Sequence, residues 1–162
     1  MPLRVPRRQP KAMPSSSAAR LRLQDYLPYR LSVAANAVSR LVARAYERQL
    51  GLKNPQWRLL AVLADEGALT QQSLCGRTLM DKVTVMRAAH GLLRRRLLRR
   101  LPNGEDGRSH RLVLTATGRR LYESIVPLAL AYEAQLFEGF KRGEIARLDR
   151  LLRRVEQAAT KV

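Results

Sequence analysis

Apolar side chains recur at three- and four-residue steps along most of the chain, and the breaks in that rhythm mark out helices. Leu31, Ala34, Val38, Leu41 and Ala45 draw one stripe down a long amphipathic helix from Leu27 to the neighbourhood of Leu50-Gly51. Pro55 suits the first turn of a second helix, in which Trp57, Leu60, Ala61 and Leu63 continue to Asp65-Glu66-Gly67. After a short extended piece at Ala68-Leu69, Thr70 is an N-cap for a brief third helix through Arg77. Asp81 is a second cap, for a helix through about Leu97 that turns Val85, Ala88, Ala89, Leu92 and Leu93 inward. Turn formers at Asn103 to Gly107 then separate two short segments, Leu98 to Pro102 and Arg108 to Leu114, which read as a two-stranded hairpin. Thr115 caps a long helix running toward Phe140, which Pro127 is expected to bend or restart. A last helix, about Glu144 to Ala159, lines up Ile145, Leu148, Leu151, Leu152 and Val155.

The order is four helices, a hairpin and two helices. Two short helices followed by a hairpin with a basic tip predict a mainly α fold with a small β-hairpin wing, a winged helix-turn-helix. The segment at 55–115 is its DNA-binding part, and the helices at 21–50 and 116–160 are N- and C-terminal dimerisation helices, since their stripes exceed what one small winged domain covers. Residues 21–162 form a single domain. Residues 1–20 hold four prolines, a serine run and five basic side chains without an apolar face, and read as a disordered basic arm, either a solvated tail or a source of phosphate contacts.

Charge names the partner. The 162 residues carry 31 lysines and arginines against 13 acids, a formal +18, which calls for a polyanion. Double-stranded DNA fits better than a membrane, because no run reaches the ~18 apolar residues of a span. The start has no signal-peptide pattern, and Cys75 is the single cysteine, so a cytoplasmic location is expected.

On the second short helix, Lys82, Val83, Thr84, Met86, Arg87 and His90 lie opposite the core positions. Arg87 can pair with guanine in bidentate fashion, Thr84 can bond a base or a phosphate, and Val83 or Met86 can meet a thymine methyl. The block Arg94-Arg95-Arg96-Leu97-Leu98-Arg99-Arg100 places five cations at the helix end and the first wing strand; two or three of them, Arg99 included, are expected on phosphates and the rest on the helix end. Arg108, two residues after Asp106, sits at the wing tip, where the carboxylate could hold the guanidinium ready for a minor groove.

Leu69-Thr70-Gln71-Gln72, then Asp81-Lys82-Val83-Thr84-Val85, then Asp106-Gly107-Arg108 leading to Leu112-Val113-Leu114-Thr115-Ala116-Thr117-Gly118 resemble the signature of the MarR family in order and spacing. The resemblance implies a homodimer on an inverted-repeat operator, with Thr84 and Arg87 reading bases, Thr70 and Gln71 near phosphates, and Arg108 in the minor groove. It further implies a repressor that a small ligand releases. The chain departs from the pattern at Val83 and Met86, where serine is common, and at Leu79 and Arg96, where glycine is. Arg96 lacks glycine's freedom, so the turn into the wing is expected to close differently.

For a ligand, Tyr26 and Arg30 one turn apart, Tyr29 beside them, and Trp57 as a flat wall suit an aromatic carboxylate or its coenzyme A thioester; the alternative makes Trp57 core and Arg30 a solvated edge. Cys75 is expected buried and inert, the alternative being a redox switch of the kind the family resemblance offers. His90 and His110 have no ligand-spaced companions, and no nucleophile-base pair or phosphate-cradling glycine loop is present, so neither metal, cofactor nor enzyme is expected. The alternative function is a nonspecific architectural or nucleoid DNA-binding protein, for which charge alone would be enough.

Overall fold

The computed structural model describes residues 21–104 and 106–161. A 3-10 turn at Leu23–Asp25 leads into α1 (Leu27–Leu50), α2 (Asn54–Glu66), β1 (Leu69–Thr70), α3 (Gln71–Thr78), α4 (Lys82–Arg94), β2 (Leu98–Pro102), β3 (His110–Leu114), α5 (Ala116–Leu136) and α6 (Arg142–Ala159). The fold is mainly α with a small antiparallel sheet, as the sequence predicts. The expected arm at 1–20 lies outside the described residues. The chain divides into two compact units at a point within α1, the first ending at Asn36 and the second starting at Ala37.

In the described part of the first unit every residue is exposed, Leu23, Leu27 and Leu31 among them. Arg22 pairs with Asp25 at 3.3 Å across the 3-10 turn, and the Ser32 hydroxyl donates to the Pro28 carbonyl one turn back.

The second unit holds the core. Leu59, Leu60 and Leu63 of α2, Leu74 of α3, and Val85, Ala89 and Leu92 of α4 are fully buried together. Leu112 and Leu114 of β3 and Ile125 of α5 close the cluster, and Tyr46 and Leu52 join it from the end of α1. Each leucine so buried contributes roughly 1.5–3 kcal/mol by leaving water. The Arg77 guanidinium pairs with Glu66 at 2.9 Å, tying the end of α3 to the end of α2.

The sheet has three strands in the order β1-β3-β2, not two. Leu69 pairs with Leu112 and Thr70 with Arg111, so the extended piece before α3 joins the wing. Two residues are too few for alternation to reveal a strand. On the other side Leu98 faces Leu114 and Pro102 faces His110.

α4 ends at Arg94, three residues before the expected end, and its last turn corrects another expectation. Arg96 takes the left-handed conformation itself, with φ +56°. Its N–H donates to the Leu93 carbonyl at 2.9 Å and that of Leu97 to Leu92 at 3.0 Å, the paired bonds with which a helix usually closes on glycine. Leu92 and Leu97 are both buried beneath the turn. The Thr115 hydroxyl donates to the Arg96 carbonyl at 2.8 Å, and the Thr115 N–H to the Leu97 carbonyl at 3.0 Å. The carbonyl of this left-handed residue and that of the residue after it are thus both held by Thr115, the cap of α5.

Pro127 lies inside α5, which continues through it rather than restarting. α5 stops at Leu136, short of Phe140; Phe137 and Phe140 meet edge to face at 5.5 Å in the turn that follows. α6 begins at Arg142, where the Glu144 carboxylate accepts the Lys141 N–H at 2.8 Å. Cys75 is half-buried against the core rather than fully enclosed.

Candidate nucleic-acid interface

The caps predicted for the two short helices both form. The Thr70 hydroxyl accepts the Ser73 N–H at 3.1 Å. At α4 the Asp81 carboxylate uses both oxygens on one residue: it accepts the Thr84 N–H at 2.9 Å and the Thr84 hydroxyl at 2.6 Å. These bonds, the hydroxyl first and then the backbone N–H, hold the Asp81 carboxyl below the usual aspartate range. Thr84 is half-buried and its proton is committed to Asp81, so it meets an outside partner through its oxygen lone pairs. Beyond it, Lys82, Val83, Met86, Arg87 and His90 are exposed; Val83 and Met86 keep 48% and 49% of their surface in solvent. α4 thus presents two apolar groups between cations.

The wing stands beside this face. A cleft of about 680 Å³ separates it from the start of α3, with Thr70, Gln71, Lys82, Arg100, Arg108 and His110 on its walls. Along β2 side chains alternate, so Arg100 shares the face of buried Leu98 and Arg99 points the other way. Arg100 also meets Gln71, Met86, Arg87 and His90 in a second hollow of about 270 Å³. Arg100 is thus the cation at the junction of wing and α4, a position that strand alternation from Leu98 could have revealed. Arg95 faces inward along the chain instead: its guanidinium donates to the Gly51 carbonyl at 2.9 Å and the Leu50 carbonyl at 3.1 Å, capping the end of α1.

At the wing tip Asp106 does not hold the Arg108 guanidinium. Its carboxylate accepts the Arg108 backbone N–H at 3.0 Å, while the Asp106 carbonyl accepts the Ser109 N–H at 3.0 Å. The acid shapes the turn, and the exposed guanidinium forms none of the ion pairs among the described residues.

Of the residues expected around a ligand, Tyr26, Tyr29 and Arg30 are exposed at the start of α1. Trp57 is half-buried in the second unit, stacked on Tyr122 at 5.7 Å and 16° and tilted against Tyr46 at 5.0 Å. Burial raises the pKa of the Tyr46 phenol, with a smaller push from nearby Tyr132. Two of the five tyrosines thereby meet the only tryptophan, and Tyr132 lies near one of them, Tyr46. They come from α1 and α5, and no local spacing announces the cluster.

A capped, exposed helix on a three-helix core, flanked by a basic wing, defines a winged helix-turn-helix DNA-binding protein. The model of the MarR family matches residues 50–109. An uncharacterized HTH-type transcriptional regulator of Bacillus subtilis (strain 168), YwoH, is 30% identical over 120 residues, covering 72% of this chain and 87% of that protein. The chain belongs to the MarR family of transcriptional regulators. A MarR/EmrR family regulator from Acinetobacter sp. ADP1 shares the fold with a TM-score of 0.80 at 24% identity, over 88% of this chain and all of that one. BpsR of Bordetella bronchiseptica, whose DNA binding is regulated by 6-hydroxynicotinic acid, has a TM-score of 0.77 at 25% identity, over 85% and 98% of the two chains. Among the described residues no helix is long and apolar enough to cross a membrane.

Proposed function

We propose that this protein is a cytoplasmic, ligand-responsive repressor that binds an inverted-repeat operator as a homodimer. The observation that carries the reading is the exposed face of α4. Asp81 fixes the first turn of α4, and Val83, Met86 and Arg87 stand clear of the core with side-chain types suited to base edges. Arg87 takes guanine, Val83 and Met86 take thymine methyls, and the Thr84 oxygen accepts from a base amino group. Thr70, Gln71 and Lys82 face phosphates across the cleft, and Arg108 enters the minor groove. To the sequence-based set we add Arg100 as the principal phosphate contact of the wing, with Arg99 secondary.

The apolar stripe of α6, with Leu148, Leu151, Leu152 and Val155 about two-fifths exposed, supports pairing of the segments 21–50 and 116–160 between two chains. The ligand is an aromatic carboxylate or its coenzyme A thioester, as in control of aromatic catabolism; Arg30, beside Tyr26 and Tyr29, offers a cation for the carboxylate, and the Trp57 ring offers a face for stacking. The aromatic stack at Trp57 and the aromatic acid that regulates BpsR support this class.

Selection from random DNA by the full chain tests the function. A preferred palindromic site that survives rising salt, and that an aromatic acid releases, is the expected result. Binding lost equally on all sequences as salt rises identifies an architectural protein instead. An Arg30→Ala variant that responds to the acid like the wild type removes Arg30 from the ligand site.

A further inference from the structure

We propose that Leu79 is a specificity contact, extending the apolar surface of α4 ahead of its cap so as to meet a thymine methyl in the major groove. The proposal rests on the reading of α4 as the base-contacting helix. Leu79 closes α3 with φ +52° and ψ +30°, a conformation in which a Cβ crowds the following carbonyl and which glycine adopts freely. Its side chain is 82% exposed, the highest value among the exposed large hydrophobics of the described residues. The left-handed backbone disfavours the folded state, and a leucine left in solvent returns nothing by burial to offset it. Arg96, the other left-handed residue among the described residues that is not glycine, has its own carbonyl and that of Leu97 held by Thr115. Leu79 belongs neither to the core nor to the hydrophobic residues packed around it. Glycine would make the same turn with less strain, so the use of this side chain lies outside the folded chain.

The surroundings indicate the occupant. Leu79 is two residues before the cap Asp81, and Val83 two residues after it, with Met86 one further turn along α4. Lys82, Arg87 and Arg100 are exposed on α4 and the wing, a local set of cations that attracts a polyanion. The leading end of a recognition helix meets base edges, and the apolar group those edges offer in the major groove is the thymine methyl.

The test uses the full chain and its selected operator, with each thymine replaced in turn by uracil, which removes only the methyl. Wild-type protein should lose about fourfold in affinity at the thymine under Leu79, the effect of one buried methyl. Leu79→Gly should bind the parent operator more weakly by at least that factor, ignore that one uracil, and melt no lower than wild type. Leu79→Ala, which keeps the Cβ, should also ignore it, whereas Val83→Ala should lose its response at a different thymine. Thymine-to-uracil ratios unchanged at every position in Leu79→Gly and Leu79→Ala overturn the proposal. A lower melting temperature for Leu79→Gly also overturns it, by assigning the leucine to the fold. Selection that returns no preferred sequence is a different failure, of the underlying reading of α4.

Discussion

Gly118 sits where the first turn of α5 crosses the start of the wing, and adding one methyl there should be costly. A Cβ at this position would lie far inside contact distance of the Leu97 carbonyl oxygen, with the Leu97 carbonyl carbon 3.0 Å and a Leu114 methyl 3.4 Å away. The obstructing atom is backbone, already accepting the Thr115 N–H at 3.0 Å, so no rotamer change relieves the clash. The turn must shift, loosening that bond and the Gly118 N–H to Thr115 hydroxyl bond of 3.0 Å. Two such bonds are together worth about 2 kcal/mol net, and overpacking adds about 1–3 kcal/mol. Alanine's better helix propensity returns about 1 kcal/mol. Gly118→Ala should therefore destabilise by roughly 2–4 kcal/mol, about 4–16 °C in melting temperature for a chain of this size. Gly76→Ala is the control: it is also helical, and its Cβ meets nothing within 4 Å, so it should melt at or above wild type. Thermal melts of both variants decide the matter, and Gly118→Ala melting with or above the wild type would refute the packing argument.

Three further outcomes follow from the site. Arg100→Ala should weaken binding to every DNA sequence and lower the salt slope by about 1, with Arg99→Ala having the smaller effect; equal losses measured by salt titration contradict the placement on β2. Arg95→Ala should lower the melting temperature, because it releases the Leu50 and Gly51 carbonyls, while leaving the salt slope of DNA binding unchanged. The Asp81 carboxyl has a lowered folded-state pKa, so its cap is fully present above the ordinary aspartate value of about 3.9 and is lost as pH falls through the lower folded value. The Thr84 amide resonance should accordingly titrate with a midpoint below that value, and a midpoint at or above it contradicts the paired cap.

Much of this was legible because the signals were local. Thr70, Asp81 and Thr115 each precede an apolar period by one cap position, and all three accept the expected N–H. The exposure of Val83 and Met86 follows from their positions opposite Val85, Ala88, Ala89 and Leu92. What local patterns could not supply were pairings between distant segments. β1 is a strand only because β3 lies beside it, the Trp57 stack joins three helices, and Arg95 is committed to α1 by carbonyls 44 and 45 residues away. Composition misled at Arg96 and Asp106. In the first case Thr115 supports the backbone that glycine would otherwise have supplied; in the second the carboxylate bonds the backbone of Arg108 in place of its side chain.

The central claim is that the exposed face of α4 reads sequence, and Arg87 is its sharpest element. Selection from random DNA with wild-type protein and with Arg87→Ala, followed by affinities on the wild-type site, tests it directly. The variant should lose about 1–3 kcal/mol on that site and relax its preference at one guanine per half-site while keeping the others. An unchanged selected sequence with unchanged affinity in Arg87→Ala would contradict the account.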